Sequence, residues 1–180
     1  HDRLAFVEKL KKHYGDKIDV FGRGFNSFGD KWDVLAPYKY HIAIENSQAD
    51  YYLTEKLTDC YITNTYPIYY GCTNAEKFFP KEAFLSIDIN NAEEAIRKID
   101  ALIASETFEN SDDVLASCKD KVLDEYNMYE QIARVCDTLD LTRPKERVTL
   151  KPMSKMFNWE RIKREIFSRN YWKIRSALGI

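Results

Sequence analysis

In RLAFVEKLKKHY, Arg3 to Tyr14, apolar side chains fall at Leu4, Val7 and Leu10, a spacing that predicts a short amphipathic helix stopped by Gly15. KIDVF, Lys17 to Phe21, alternates like a strand and runs into Gly22-Arg23-Gly24, where glycines permit a sharp turn and close approach of backbone to a ligand. Phe25 to Tyr38 carries no period and reads as a loop. YHIAI, Tyr40 to Ile44, is apolar enough to predict a short buried strand.

The polar run that follows, with Glu45, Asn46, Asp50 and two tyrosines, leads into TEKLTDCYIT, Thr54 to Thr63, whose Leu57 and Tyr61 predict a helix. A strand is expected at Tyr66 to Tyr70, ended by Gly71, then a turn or short helix near Asn74 to Phe79 and a strand at Phe84 to Ile89. Ala92 to Ala104 predicts a helix, and Asp112 to Asp137 reads as one long helical region covering a sheet face. Strands alternating with helices in this way predict an α/β domain with a doubly wound, mostly parallel sheet. Leu141 to Pro152 reads as a charged, proline-bounded linker. Phe157 to Leu178 then predicts a basic helix with Trp159, Ile162, Ile166, Ile174 and Leu178 in an apolar stripe. The expected division is therefore a domain over 1–140 followed by a linker and basic helix over 141–180.

Composition adds class and compartment. The 180 residues are 44% hydrophobic and 31% charged, as expected of one globular domain with a substantial core. The net charge of −2 conceals an asymmetry. Residues 151–180 carry eight Lys or Arg against two acidic residues, a surplus of +6, while the preceding 150 carry nineteen against twenty-seven, or −8. Such a tail suits either an anionic membrane face or packing back on the protein with its charges in solvent, and both readings stay open. The acidic remainder and the lack of a nucleic-acid-binding motif argue against a nucleic-acid partner.

Cys60, Cys72, Cys118 and Cys136 show neither C-x-x-C nor zinc-ligand spacing, and are expected to be free, mostly buried thiols. No sequon, signal-peptide core or long apolar run stands in the sequence, so a reducing cytoplasm is the expected compartment. The chain starts at His1-Asp2 without Met, directly before a helical pattern, and is expected to be part of a longer protein.

The candidate chemistry lies in the polar run. Ligands of parallel α/β sheets sit outside the carboxyl ends of strands, where loops enter helix N-termini. A helix N-terminus there offers N–H groups to an anion, and Lys56 in its first turn adds a mobile charge suited to phosphate. Glu55 is an acceptor suited to the paired hydroxyls of a ribose. The alternative is an ordinary solvated first turn, although adjacent helical residues are poorly placed for an ion pair with each other. Asn46 can read a ligand or bond a turn. Gly22-Arg23-Gly24 lacks the full G-x-G-x-x-G spacing, and His41 inside a strand reads as a packed side chain.

From Pro37 to Ile89 the run PYKYHIAIENSQADYYLTEKLTDCYITNTYPIYYGCTNAEKFFPKEAFLSIDI resembles the donor-binding core of the α-1,3/4-fucosyltransferases of glycosyltransferase family ten. The correspondence rests on the spaced elements Y-K-Y-x-I-x-I-E-N-S, D-Y-Y-L-T-E-K-L, P-I-Y-Y-G and S-I-D-I, and D-V-F-G-R-G at Asp19 to Gly24 extends it upstream. The resemblance implies the Rossmann-like C-terminal half of a GT-B glycosyltransferase that binds GDP-fucose without an essential metal. It implies that Glu55 holds the ribose hydroxyls, that Lys56 and Arg3 neutralise the pyrophosphate, that Tyr52 and Asn46 bond the phosphates or sugar, and that Arg23 lines the same cleft. It further implies inverting transfer of fucose to an acceptor oligosaccharide or lipid-linked glycan, with a general-base glutamate on an N-terminal acceptor domain outside these residues. Of the family's compartments, the missing anchor and sequons favour a bacterial-type cytoplasmic enzyme, with the Golgi lumen as the alternative. A binding module without transfer activity, or an enzyme using another nucleotide sugar, are the competing readings.

Overall fold

The computed structural model describes residues 2–22, 24–144, 147 and 149. The chain separates into two compact units, His1–Thr138 and Leu139–Ile180, and every helix and strand among the described residues belongs to the first. Arg23 and the expected basic helix at Phe157 to Leu178 lie outside the described residues.

The unit opens with α1 (Asp2–Tyr14), which buries Phe6 and Leu10. After an irregular stretch comes α2 (Lys31–Leu35), a five-residue helix whose Asp30 side chain caps the Trp32 amide. Three parallel strands follow in sequential order: β1 (Tyr40–Ala49), β2 (Tyr66–Cys72) and β3 (Leu85–Ser86). Between β1 and β2 the chain crosses over through α3 (Glu55–Ile62), the connection that two parallel neighbours require. The helices α4 (Ala92–Ala104), α5 (Asp112–Asp124) and α6 (Met128–Asp137) complete the unit.

The pairing register sorts the side chains. Tyr40, Ile42 and Ile44 lie opposite Tyr66, Ile68 and Tyr70, so these six share one sheet face, while His41, Ala43 and Glu45 share the other with Pro67, Tyr69 and Gly71. Helix α3 covers the second face, burying Leu57, Cys60 and Tyr61, and packs in turn on α5. Helices α1 and α4 pack together and line, with Ile42, Ile44 and Ile68, a cavity of about 560 Å³ on the first face. The expected α/β class with a parallel sheet is thus present, with helices on both faces.

Four expectations are corrected. Lys17 to Phe21 is not a strand: Gly15–Lys17 forms a 3-10 turn, Val20 O accepts from the Asn26 amide at 3.4 Å, and Phe21 makes one isolated bridge to Asn26. Alternation supplied the side-chain pattern, and the segment lines the same cavity as β1, but it is not part of the β1-β2-β3 sheet. The expected loop before β1 holds α2, too short to show a helical period. β1 also runs five residues past Ile44, with a register irregularity between Ile44 and Ala49. The single helix expected over Asp112 to Asp137 is two, because Asn127 stops the run and restarts it as an N-cap, accepting from the Glu130 amide.

Candidate donor site at the start of α3

The glycine turn beside the sheet is built as the sequence suggests. Gly22 at φ 131° and Gly24 at φ 90° both occupy the region that favours glycine. The Gly22 amide donates to Asn26 O at 2.9 Å and the Phe25 amide to Gly22 O at 3.0 Å, closing a tight loop.

The centre of the site is the N-terminus of α3. Thr54 is its N-cap, with extended backbone and a side-chain oxygen facing the Lys56 amide. Beneath it lies Glu45, whose side chain is fully buried. Thr54 donates from its amide to Glu45 Oε1 at 3.1 Å, and its hydroxyl lies 2.7 and 2.8 Å from the two carboxylate oxygens. Lys56 Nζ is 3.2 Å from Glu45 Oε2, and the Tyr69 hydroxyl is 3.4 Å from Oε1. A protein carboxylate therefore already occupies the favourable field at the start of the helix, a place that the sequence alone leaves open for a ligand.

Lys56 spans inside and outside. Its ammonium also touches Thr54 Oγ1 at 3.2 Å and Glu55 Oε1 at 3.3 Å, and its side chain keeps 27% exposure. The neighbouring pair, expected not to meet, does meet, because the long lysine stem folds back over the first turn. Burial works against the lysine charge, but hydrogen bonding and the charge of Glu45, followed by Glu55, hold its pKa above the ordinary value. For Glu55, burial pushes upward. The hydrogen bond from Lys56, its own backbone and the charges of Lys56 and Lys31 outweigh that and keep the pKa below the usual glutamate value. Both groups are thus ionised near neutrality.

Lys31 of α2 closes the cluster, 3.6 Å from Glu55 and 2.7 Å from Asp59. His41 stands nearby on β1, where burial and then the Lys31 charge lower its pKa to about 4, so it is a neutral ring at physiological pH. Lys31, Glu55, Lys56 and Asp59, with the neutral His41, also line the cavity, adding charge to a largely apolar space.

The remaining expected residues fall unevenly around this centre. Asn46 follows Glu45 directly and is exposed, and Tyr52 is half-buried in the connection to α3, its amide donating to Ala49 O at 3.3 Å. That connection is pinned at Tyr51, which adopts φ 62° while its amide donates to Asn74 Oδ1 at 2.8 Å. Arg3 is exposed on the first turn of α1, and no contact among the described residues joins it to Glu55 or Lys56. Glu45 was visible in sequence as part of the polar run, yet nothing there marked it as the buried hub. Lys31 and Asp59 gave no signal, since their meeting depends on how α2 packs beside α3.

Residues 1–148 match the family described as glycosyltransferase family 10 (fucosyltransferase), C-terminal part. The chain belongs to this family. It is 38% identical over 68 residues to the alpha-(1,3)-fucosyltransferase of Helicobacter pylori, covering 37% of this chain and 14% of that protein. To human 4-galactosyl-N-acetylglucosaminide 3-alpha-L-fucosyltransferase it is 33% identical over 91 residues, 48% of this chain and 25% of the relative. The chain thus spans a quarter or less of the length of these curated relatives. Its fold is similar to the crystal structure of an alpha1,3-fucosyltransferase with GDP-fucose, at a TM-score of 0.52 and 30% identity over 63% of this chain and 34% of that one. The same enzyme class with GDP gives a TM-score of 0.51 and 29% identity, over 62% and 33% of the two chains. The expected fold class, the Rossmann-like C-terminal half of a GT-B glycosyltransferase, accords with these relatives.

Proposed function

We propose that this fucosyltransferase-family chain is the donor-binding part of an enzyme that transfers L-fucose from GDP-fucose to a hydroxyl of an acceptor glycan with inversion. One observation carries the reading: an ammonium and a carboxylate, both ionised, share the first turn of α3 in a chain whose residues 1–148 match the fucosyltransferase C-terminal family. In the bound complex Glu55 accepts from the ribose hydroxyls and Lys56 faces the diphosphate. Arg3 and Arg23 add charge to the same cleft, and Asn46 and Tyr52 supply hydrogen bonds to the phosphates or the sugar.

The chemistry then follows from charge. As the acceptor oxygen bonds to the anomeric carbon, the bond from that carbon to the β-phosphate oxygen breaks and GDP leaves with its electron pair. Negative charge grows on the diphosphate, so cations fixed there beforehand stabilise the transition state more than the ground state. The acceptor's proton passes to a carboxylate base on a part of the enzyme that precedes these residues. Donor binding needs no metal in this scheme, since side-chain cations offset the phosphates, and chelation with EDTA is expected to leave GDP affinity unchanged. Work at a cytoplasmic membrane face is supported by the +6 surplus of residues 151–180.

Calorimetric titration with GDP, GDP-fucose, GDP-mannose and UDP-sugars tests the reading. Binding of GDP and preference for GDP-fucose are expected. Preference for another nucleotide sugar would redirect the substrate, and no response to any guanine nucleotide would overturn the proposal.

A further inference from the structure

Lys56 has two carboxylate partners of opposite character. Glu55 is an exposed group on the same helix, and its direct contact with Lys56 at 3.3 Å is open to solvent. Glu45 comes from β1, is fully buried, and spends every available direction on the protein: the Thr54 amide and hydroxyl, the Lys56 ammonium and the Tyr69 phenol. The wall behind it is fixed as well. The Tyr69 hydroxyl accepts from the Cys72 amide at 2.9 Å, and a Cβ placed on Gly71 would stand 2.2 Å from Glu45 Cγ and 2.6 Å from the Tyr69 hydroxyl. The absent side chain at Gly71 is what leaves room for the glutamate.

We propose that Glu45 is a positioning residue for donor binding: a fixed counter-ion that aims Lys56 into the site while Glu55, its exposed partner, exchanges Lys56 for the donor's hydroxyls. The inference rests on the donor-site reading above. A buried carboxylate cannot give up its charge partner without facing desolvation alone, so the contact between Glu45 and Lys56 persists when ligand enters. The contact between Glu55 and Lys56 is held by no such penalty. Opening it costs little in water and frees both groups together, the carboxylate for hydroxyls and the ammonium for phosphate oxygens. Glu45 touches no ligand in this arrangement and acts through Lys56 and through the Thr54 cap.

The test separates this inference from the donor reading. The Lys56 ε-ammonium is followed by NMR in the ligand-free protein, its signal assigned by its loss in Lys56→Arg. The charged groups facing Lys56 are Glu45 from β1 and Glu55 from its own helix, with Tyr69 of β2 reaching it through Glu45 and Lys31 of α2 through Glu55. Glu45→Gln is expected to lower the Lys56 titration midpoint by about one pH unit or more, and Glu55→Gln to lower it less. GDP affinity is expected to fall at least tenfold in Glu45→Gln although residue 45 lies beneath the site.

An unmoved Lys56 midpoint in Glu45→Gln, or a larger movement in Glu55→Gln, overturns the proposal. If Glu45→Gln melts too early to study, the double variant Glu45→Gln/Lys56→Met decides. Recovery of the melting temperature supports the coupling, and no recovery assigns Glu45 to the helix cap alone and overturns it. Wild-type protein that ignores GDP would overturn the donor reading, while the Lys56 titration would still judge Glu45.

Discussion

Glu55 and Lys56 sit on adjacent positions yet face unlike environments, one at 58% side-chain exposure and one at 27%. If both serve the nucleotide, Glu55→Ala and Lys56→Ala each weaken GDP binding at least tenfold, about 1.4 kcal/mol, with an unchanged far-ultraviolet CD spectrum. Unaltered titration isotherms would make them an ordinary solvated pair. His41 is open to a separate test. Its folded pKa of about 4 lies below the ordinary imidazole value, so the unfolded chain binds the extra proton first as the pH falls. The stability held by the neutral ring is complete above about pH 6.5 and drains away between there and about pH 4, a loss of roughly 3 kcal/mol. In urea melts the stability of wild type relative to His41→Asn should fall by roughly 3 kcal/mol from pH 7 to pH 4. Parallel curves throughout would mean that the imidazole is free to charge in the folded state.

The helix ends show why some elements were legible and others not. Asn91 caps α4 by accepting from the Glu94 amide while its own amide group donates to Glu94 Oε2 at 3.0 Å, a reciprocal pair written in four consecutive residues. The same Asn-x-x-Glu spacing recurs at Asn127 and Glu130, and its cap is what splits the helical run into α5 and α6. Signals of this kind are local, so α3 and α4 were legible in the chain to within a residue or two. Strand pairing is not local. KIDVF has the alternation of a strand yet joins no sheet, whereas β1 runs on through polar residues and regains β2 at Ala49, opposite Cys72. The close contact of β1 and β2 yields a prediction for Gly71, whose added methyl would overlap Glu45 and Tyr69. Gly71→Ala is expected to cost roughly 1–3 kcal/mol or more in a denaturant melt and to weaken GDP binding with it. A stable variant with normal GDP affinity would show that the sheet yields without moving Glu45.

At the scale of the molecule, ligand and fold are linked. If GDP binds only the folded donor unit, a free GDP concentration 100 times the Kd raises the unfolding free energy by about 2.7 kcal/mol, visible as a rise in melting temperature that grows with concentration. A flat response at concentrations shown calorimetrically to saturate the site would place the nucleotide on a surface that survives unfolding. If residues 151–180 hold the chain on an anionic membrane face, vesicles with anionic lipid should retain it, neutral vesicles should not, and removal of those residues should abolish the difference. Equal retention would leave the basic segment a packing role.

The sequence by itself determined the class of the fold, the family, and the identity of the first-turn pair, because helix periods, caps and a dense motif are properties of neighbouring residues. Tertiary structure decided what surrounds that pair. Glu45 belongs to a polar run whose other members are mostly exposed, and only the approach of β2, with Gly71 and Tyr69 behind it and Thr54 above, removes it from water. A carboxylate so enclosed must keep a cation, and it is this constraint, assembled from three elements separated along the chain, that fixes where Lys56 points.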